Sequence, residues 1–172
     1  AGTWPVAFNS GYLYTWGDNT EGQLGLGNIT AYSSPKQVGS SGWVKIAARG
    51  NSSRAISSSG SLYGWGNNNQ GQLGLGNRTK YSSPKQVGSL TTWTDVSAGD
   101  YHTLAIESGK LYAWGYNAVY GALGLGNLTD TYSSPKQVGS LTNWLKTAAG
   151  SYCSWAIKTD GTLCSGGRND NF

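Results

Sequence analysis

The chain has 172 residues, a formal charge of +4 from 12 Lys and Arg against 8 Asp and Glu, and 12% charged residues, about half the usual share. The charges form no run, which excludes a basic tail, and no apolar stretch approaches the roughly 20 residues of a membrane-spanning helix. Solubility rests on Asn, Ser, Thr and Gly, a composition expected of an extracellular or particle-borne protein. There is no Met, so residue 1 is expected to be a processed or excised start, and nothing at the N-terminus has the order of a signal peptide.

Taken in order, the chain repeats itself. LYTWGDNTEGQLGLGN at Leu13–Asn28 returns as LYGWGNNNQGQLGLGN at Leu62–Asn77 and as LYAWGYNAVYGALGLGN at Leu111–Asn127. Each copy is followed by YSSPKQVGS, from Tyr32, Tyr81 and Tyr132. Repetition at this period marks a repeat architecture whose units bury their apolar faces against one another.

Superposing the copies predicts four strands per module. Strand A is Trp43–Ala48, Trp93–Ala98 and Trp144–Ala149, ending in paired small residues suited to crowding near a central axis. Strand B ends at Ile56, Ile106 and Ile157 and runs through a Gly-bearing turn into strand C, which is LYTW, LYGW or LYAW. Strand D is PKQV from Pro35, Pro84 and Pro135; Pro and Lys mark it as a protected edge. The GQLGLGN connector between C and D alternates glycines that allow positive φ with leucines that need burial. Trp16, Trp65 and Trp114, with Leu24, Leu26, Leu73, Leu75, Leu123 and Leu125, are expected to plug the space between adjacent sheets.

Small four-stranded sheets in series are blades, and an inner small-residue strand with an outer Pro/Lys strand favours a radial propeller over a linear stack. The fold class is therefore all-β, a β-propeller of four-stranded antiparallel blades. The modules are approximately 1–42 (strands BCD, with Gly2–Phe8 as B), 43–92, 93–143 and 144–172 (strands ABC), or about 3.5 blades. In the last module GGRNDNF aligns with WGYNAVY, so Gly166 stands where Trp114 stands one copy earlier. An arc of this kind leaves its terminal apolar faces open. It is expected to be a piece of a longer polypeptide or to be closed by a second chain.

The motif LYTWGDNTEGQLGLGN followed by SPKQV, the W-x-K-I-A-A strand and GDYHTLAI resembles the repeat of the regulator of chromosome condensation family, over essentially the whole chain. The resemblance implies a seven-bladed ring, of which this is half. The family includes guanine-nucleotide exchange factors and a secreted inhibitor of β-lactamases, which grip folded partners with a propeller face. None of their functional residues can be matched here one by one, and nothing within these residues resembles the basic chromatin-binding arm.

Chemistry-bearing residues point away from catalysis. His102 is the only histidine, at a position where Trp4, Ser52 and Cys153 are its equivalents, as expected of strand packing. The acidic residues are scattered, with no carboxylate pair on one strand face. No nucleophile motif or zinc spacing appears, so no catalytic residue, metal or cofactor is expected. The GQLGLGN glycines lack the following helix of a phosphate site. Cys153 and Cys164 lie on two arms of a hairpin with Asp160-Gly161 as a two-residue turn. That register sets Cys164 opposite Ile157 and Cys153 roughly 13 Å away, beyond disulfide reach; two free, largely buried thiols are expected. The sequons at Asn28, Asn77, Asn127 and Asn51 are expected to be turn sequence without sugar, and Lys36, Lys85 and Lys136, each near a Tyr, edge protection and no specific nucleic-acid surface.

The copies differ most in the A–B loops and at the start of the C–D connectors, which strand direction brings to one face. There Arg49, Asn51, Asp100, Tyr101, Tyr116, Tyr120, Tyr152 and Arg168 form a candidate partner-binding set, Tyr-rich and Asn-rich on a rigid scaffold. The Asn shared by the connectors (Asn19, Asn68, Asn117) is expected to bond its own turn backbone. The functional expectation is a non-catalytic structural or binding propeller on a virion, such as a phage tail or fibre, or on a microbial surface. Its partners would be proteins or further copies that close the ring, with no membrane insertion. The alternatives are a regulator of a partner enzyme and a module that binds a surface glycan.

Overall fold

The computed structural model describes residues 11–128 and 130–168, and among them contains thirteen strands and no helix. The first sheet pairs β1 (Tyr14–Gly17) with β2 (Tyr32–Gln37). The second runs β3 (Trp43–Arg49), β4 (Ser52–Ser57), β5 (Leu62–Gly66), β6 (Tyr81–Gln86), and the third β7 (Trp93–Ala98), β8 (His102–Glu107), β9 (Lys110–Tyr116), β10 (Thr131–Gln137). The fourth holds β11 (Trp144–Ala149), β12 (Cys153–Lys158) and β13 (Leu163–Gly167). Every pairing is antiparallel and follows chain order, so each sheet is an up-and-down blade. Contacts between blades gather on the first two strands: β3 packs on β7 and β7 on β11, which sets the A strands innermost. This is the expected propeller. The strand B expected at Gly2–Phe8 lies outside the described residues.

Adjacent blades hold each other through the C–D connectors. Trp65 and Trp114 are fully buried, and their indole Nε1 atoms donate to the Gln23 and Gln72 carbonyls of the preceding blade's connector, both at 2.9 Å. Strand B adds a hydroxyl to the same acceptors, Ser53 Oγ to Gln23 O at 2.9 Å and Thr103 Oγ1 to Gln72 O at 2.8 Å. The approach is so close that a Cβ on Gly74 would lie 2.7 Å from Trp114 Nε1, and this residue also has φ +76. Around the indoles, Ile56, Leu62, Val87, Trp93 and Val96 pack with Trp114, while Leu104, Ile106, Leu111, Leu123 and Trp144 form the next cluster.

Several expectations need correction. Strand D starts at Tyr32, Tyr81 and Thr131, ahead of the prolines. Tyr81 pairs with Gly66 and Lys85 with Gly64, so Ser82, Ser83 and Pro84 bulge opposite Trp65. Proline is tolerated at such a bulge because its missing N–H costs no ladder bond, and the bulge has a use: Ser82 O and Ser133 O accept the N–H of Gly27 and Gly76 from the preceding connector, each at 2.7 Å. Leu24, Leu73 and Leu123 are buried, whereas Leu26, Leu75 and Leu125 are half-buried. Trp16 plugs nothing and is 59% exposed, because the described residues hold no connector ahead of it.

The cysteine hairpin is one residue out of the expected register. Lys158 N–H donates to Thr162 O, and Gly161 takes φ +85, giving a three-residue loop with a left-handed glycine in place of a two-residue turn. Cys164 therefore pairs with Ala156, not Ile157, and Cys153 with Gly167. Both thiols are free and half-buried, not largely buried.

Trp114→Ala or Trp65→Ala is expected to destabilise the fold by about 3–5 kcal/mol, while Trp16→Ala costs less than about 0.5 kcal/mol. Denaturant melts of the three variants check this ranking.

Candidate functional site

The loop face gathers side chains from two blades. Tyr101, in the β7–β8 turn, stacks on Tyr152 from the β11–β12 turn at 5.5 Å between centroids. Tyr116, the last residue of β9, meets Tyr101 edge-on at 6.4 Å, and Tyr120 in the following connector lies 5.2 Å from Tyr152. The Arg168 guanidinium sits over Tyr120 at 5.1 Å, within cation–π range. Gln70 and Val119 complete a concavity of about 370 Å³ with these four tyrosines. Burial, and next the neighbouring Tyr101 phenol, push the Tyr152 hydroxyl above its ordinary pKa.

The connector's local sequence explains why tyrosines collect there. In the first two copies the loop is braced internally: Gln23 Nε2 donates to Asp18 Oδ2 at 2.7 Å and Gln72 Nε2 to Asn67 Oδ1 at 3.0 Å. In the third copy Tyr116 replaces the acceptor and Ala122 the glutamine, and one residue is inserted. The buried amide that accepts Leu24 N–H from five residues away in the first copy accepts Leu123 N–H from six away in the third. Without its brace, the longer loop turns Tyr116 and Tyr120 toward their aromatic neighbours.

The rest of the expected set is divided. Arg49 Nε pairs with Asp100 Oδ1 at 2.8 Å and its Nη2 donates to Ser151 Oγ at 3.0 Å, which joins three successive turns beside the tyrosines. Asn51 does not join them: it is exposed and supplies only its carbonyl, to Asn67 N–H.

Sequence reasoning missed the deeper polar residues. Asn19 is fully buried, and its side chain bonds Leu24 N–H together with the Asn28 and Thr30 carbonyls. The amide thus bonds its own loop backbone, as expected, and also latches the far end of the connector, and Asn68 does the same. Asn28 Oδ1 caps Thr30 N–H and its Nδ2 donates to Tyr32, so this sequon has a turn role. Lys36, Lys85 and Lys136 lie over Tyr32, Tyr81 and Tyr132 of their own outer strands. Near the hub, buried Asp95 accepts Lys45 from one blade and Thr147 N–H, at 2.7 Å, from another. Arg54 is fully buried, has no carboxylate partner among the described residues, donates to Ser52 and to Gln72 O, and is pushed by burial down to about 9.

His102 is 1% exposed. Ser154 gives its hydroxyl proton to Ala122 O at 2.6 Å, and His102 Nε2 lies 2.9 Å from the same Ser154 oxygen. Burial, then the Arg54 charge, push the imidazole down to about 4. It is a neutral ring that ties two blades. No group of three or more His, Cys, Asp or Glu suited to a metal occurs among the described residues. The loop face presents aromatic rings, hydroxyls and the guanidinium groups of Arg49 and Arg168, a chemistry of recognition.

The Regulator of chromosome condensation (RCC1) repeat matches residues 10–56, 59–106 and 108–157, and a second pattern of the same description matches 93–121. A comparison with curated proteins returns no match. Among solved structures, human WBSCR16 is similar with TM-score 0.82 at 23% identity, over 94% of this chain and 44% of that one. The structure of Kap60 bound to yeast RCC1 (Prp20) gives TM-score 0.80 at 26% identity, over 93% and 38%. Prp20p from Saccharomyces cerevisiae, described with its binding to Gsp1p and histones, gives 0.75 at 21%, over 95% and 41%. The chain therefore spans less than half the length of the solved chains it matches.

The His102 proton supplies a pH test. Its folded value lies below the unfolded 6.5, so the unfolded chain binds the proton first as pH falls. Stability is full above pH 6.5 and drops toward pH 4, by on the order of 3 kcal/mol. In His102→Gln that part of the slope is expected to vanish, read from urea melts between pH 4 and 7.

Proposed function

Because this chain belongs to the regulator of chromosome condensation repeat family, we propose that it is a non-catalytic binding propeller that holds a protein partner against its tyrosine-lined loop face. The observation that carries this reading is the convergence of Tyr101, Tyr116, Tyr120 and Tyr152, from two blades, under Arg168. Rigid aromatic side chains give large contact area at low entropic cost and recur as binding hot spots. A role on a virion or a microbial surface is supported by the low charge and the closely similar repeats.

The arc's two ends carry the same logic into assembly. Tyr14 and Trp16 at one end, and Leu145, Ile157 and Leu163 at the other, are exposed. Large exposed apolar faces mark surfaces that something covers, and further blades of the same polypeptide, or of a second chain, would close the ring. A monomeric hydrodynamic size for a chain of this mass would overturn that part.

A second reading, regulation of a partner enzyme, is favoured by the 26% identity to the chain solved as yeast RCC1 (Prp20) with Kap60. Stimulated nucleotide release from a small GTPase would move the assignment to it.

Cross-linked partners from the native host should be lost when Tyr101, Tyr116 and Tyr152 are changed to Ala together. Each such truncation of an interface aromatic is expected to cost about 1–2 kcal/mol, or a combined weakening on the order of a hundredfold or more. Undiminished partner binding by the folded triple variant would defeat the protein-face assignment. Glycan-array binding that the same variant loses would replace the protein partner with a sugar.

A further inference from the structure

Three blade junctions are present, and they are not equivalent. In the first two, an indole from strand C fills the space between sheets: Trp65 against the Gly25 connector and Trp114 against the Gly74 connector. Each also packs on the tryptophan that opens its own blade, Trp43–Trp65 at 6.0 Å and Trp93–Trp114 at 6.2 Å. At the third junction the strand C residue is Gly166. Among the described residues a Cβ built there meets nothing within 4 Å, and one built on Gly124, the counterpart of Gly74, meets only a Val138 methyl at 3.4 Å.

The missing ring leaves a cavity of about 110 Å³ whose walls include Leu104, Leu111, Leu123, Trp144, Ala156 and Cys164. These are the third junction's core residues. The acceptor that the ring would use is in place: Ala122 O, the counterpart of Gln23 O and Gln72 O, receives the Ser154 hydroxyl at 2.6 Å in the same way as those carbonyls receive Ser53 and Thr103. Trp144, the counterpart of Trp43 and Trp93, has Lys158 over its ring at 5.6 Å and the cavity beside it.

We propose that the slot between the third and fourth blades is a binding site for a small planar aromatic with an N–H donor, of the indole class, which takes the place of the tryptophan that Gly166 replaces. The chain itself supplies the template, because two of its own indoles occupy the corresponding slots with the same carbonyl partner. An enclosed apolar cavity of ~150 Å³ binds benzene, and the slot here, at about 110 Å³, is also open to solvent on one side. Here an N–H donor adds orientation, since the ring nitrogen has one acceptor to reach. The inference does not depend on the tyrosine face.

Free indole is the probe. Calorimetric or NMR titration should show saturable 1:1 binding with Kd on the order of 0.1–1 mM, the range for a ligand of so few heavy atoms, together with a raised Tm. Indene, which has the same shape without the N–H, should bind roughly five- to tenfold more weakly; equal affinity would overturn the Ala122 carbonyl as the anchor. Indole should slow iodoacetamide labelling of Cys164 but not of Cys153, whose thiol points to Arg168 O at 3.2 Å. Gly166→Trp should abolish binding and raise the Tm of the free protein, and Gly166→Leu should block the slot if the larger ring misfolds. Absence of saturable binding, equal protection of both cysteines, or undiminished binding in a folded Gly166 variant would overturn the site.

Discussion

One clasp, made at the first two junctions, underlies the architecture: an indole N–H of one blade donates to a connector carbonyl of the blade before it. The bond from Trp114 to Gln72 O at 2.9 Å is reciprocated by Gly76 N–H donating to Ser133 O at 2.7 Å, and Trp65 with Gly27 repeats the pair one blade earlier, so these two junctions are bonded in both directions. The geometry demands a glycine under the ring, a bulge in strand D to present the serine carbonyl, and a proline where that bulge removes the need for an N–H. The recurring residues GLG, W and SSP are thus parts of one device. Repeat proteins gain stability as a sum of such neighbour terms, which is why an exposed Trp16 contributes little and a buried Trp114 a great deal.

Polar groups inside the arc reinforce the same junctions. Asn19 and Asn68 close their connectors from within, so the carbonyl offered to the next blade is held before the blades meet. Asp95 bonds to the A strands on both sides, and His102 reaches Ser154 across the third junction. A buried imidazole beside a buried guanidinium is kept neutral, which places the cost of acid on the junction that also lacks its tryptophan. The tyrosine cluster spans that junction on the loop face, so the most divergent surface and the most divergent core coincide.

The repeat length, the strand order within a blade, the inner and outer edges and the family were all legible in the residues, because each is local information. Alternation, a glycine at a turn and a proline at an edge act within a few residues of themselves. The tyrosine-rich face was legible as well, from divergence among the copies in loops on one side. The misreadings share a cause, which is that a partner distant in the chain outweighed local preference. The Cys153–Cys164 hairpin slipped by one residue because Gly161 in a left-handed turn accommodated a third loop residue. Strand D began early because the preceding connector needed its serine carbonyl, and Asn51 stayed apart because the smaller loop of its copy carries no tyrosine to hold it.

What the sequence determined alone was a series of antiparallel blades with a recurring wedge of leucine and tryptophan, since side-chain period and turn chemistry are written residue by residue. Only the tertiary structure decided which carbonyl each indole would take, forty-two residues away along the chain, and that Tyr101 would lie flat on Tyr152. It alone showed that replacing tryptophan by Gly166 leaves an open slot where a collapsed one was equally compatible with the sequence. Those outcomes depend on the spacing between sheets, which is set by the packing of whole blades and by no single segment.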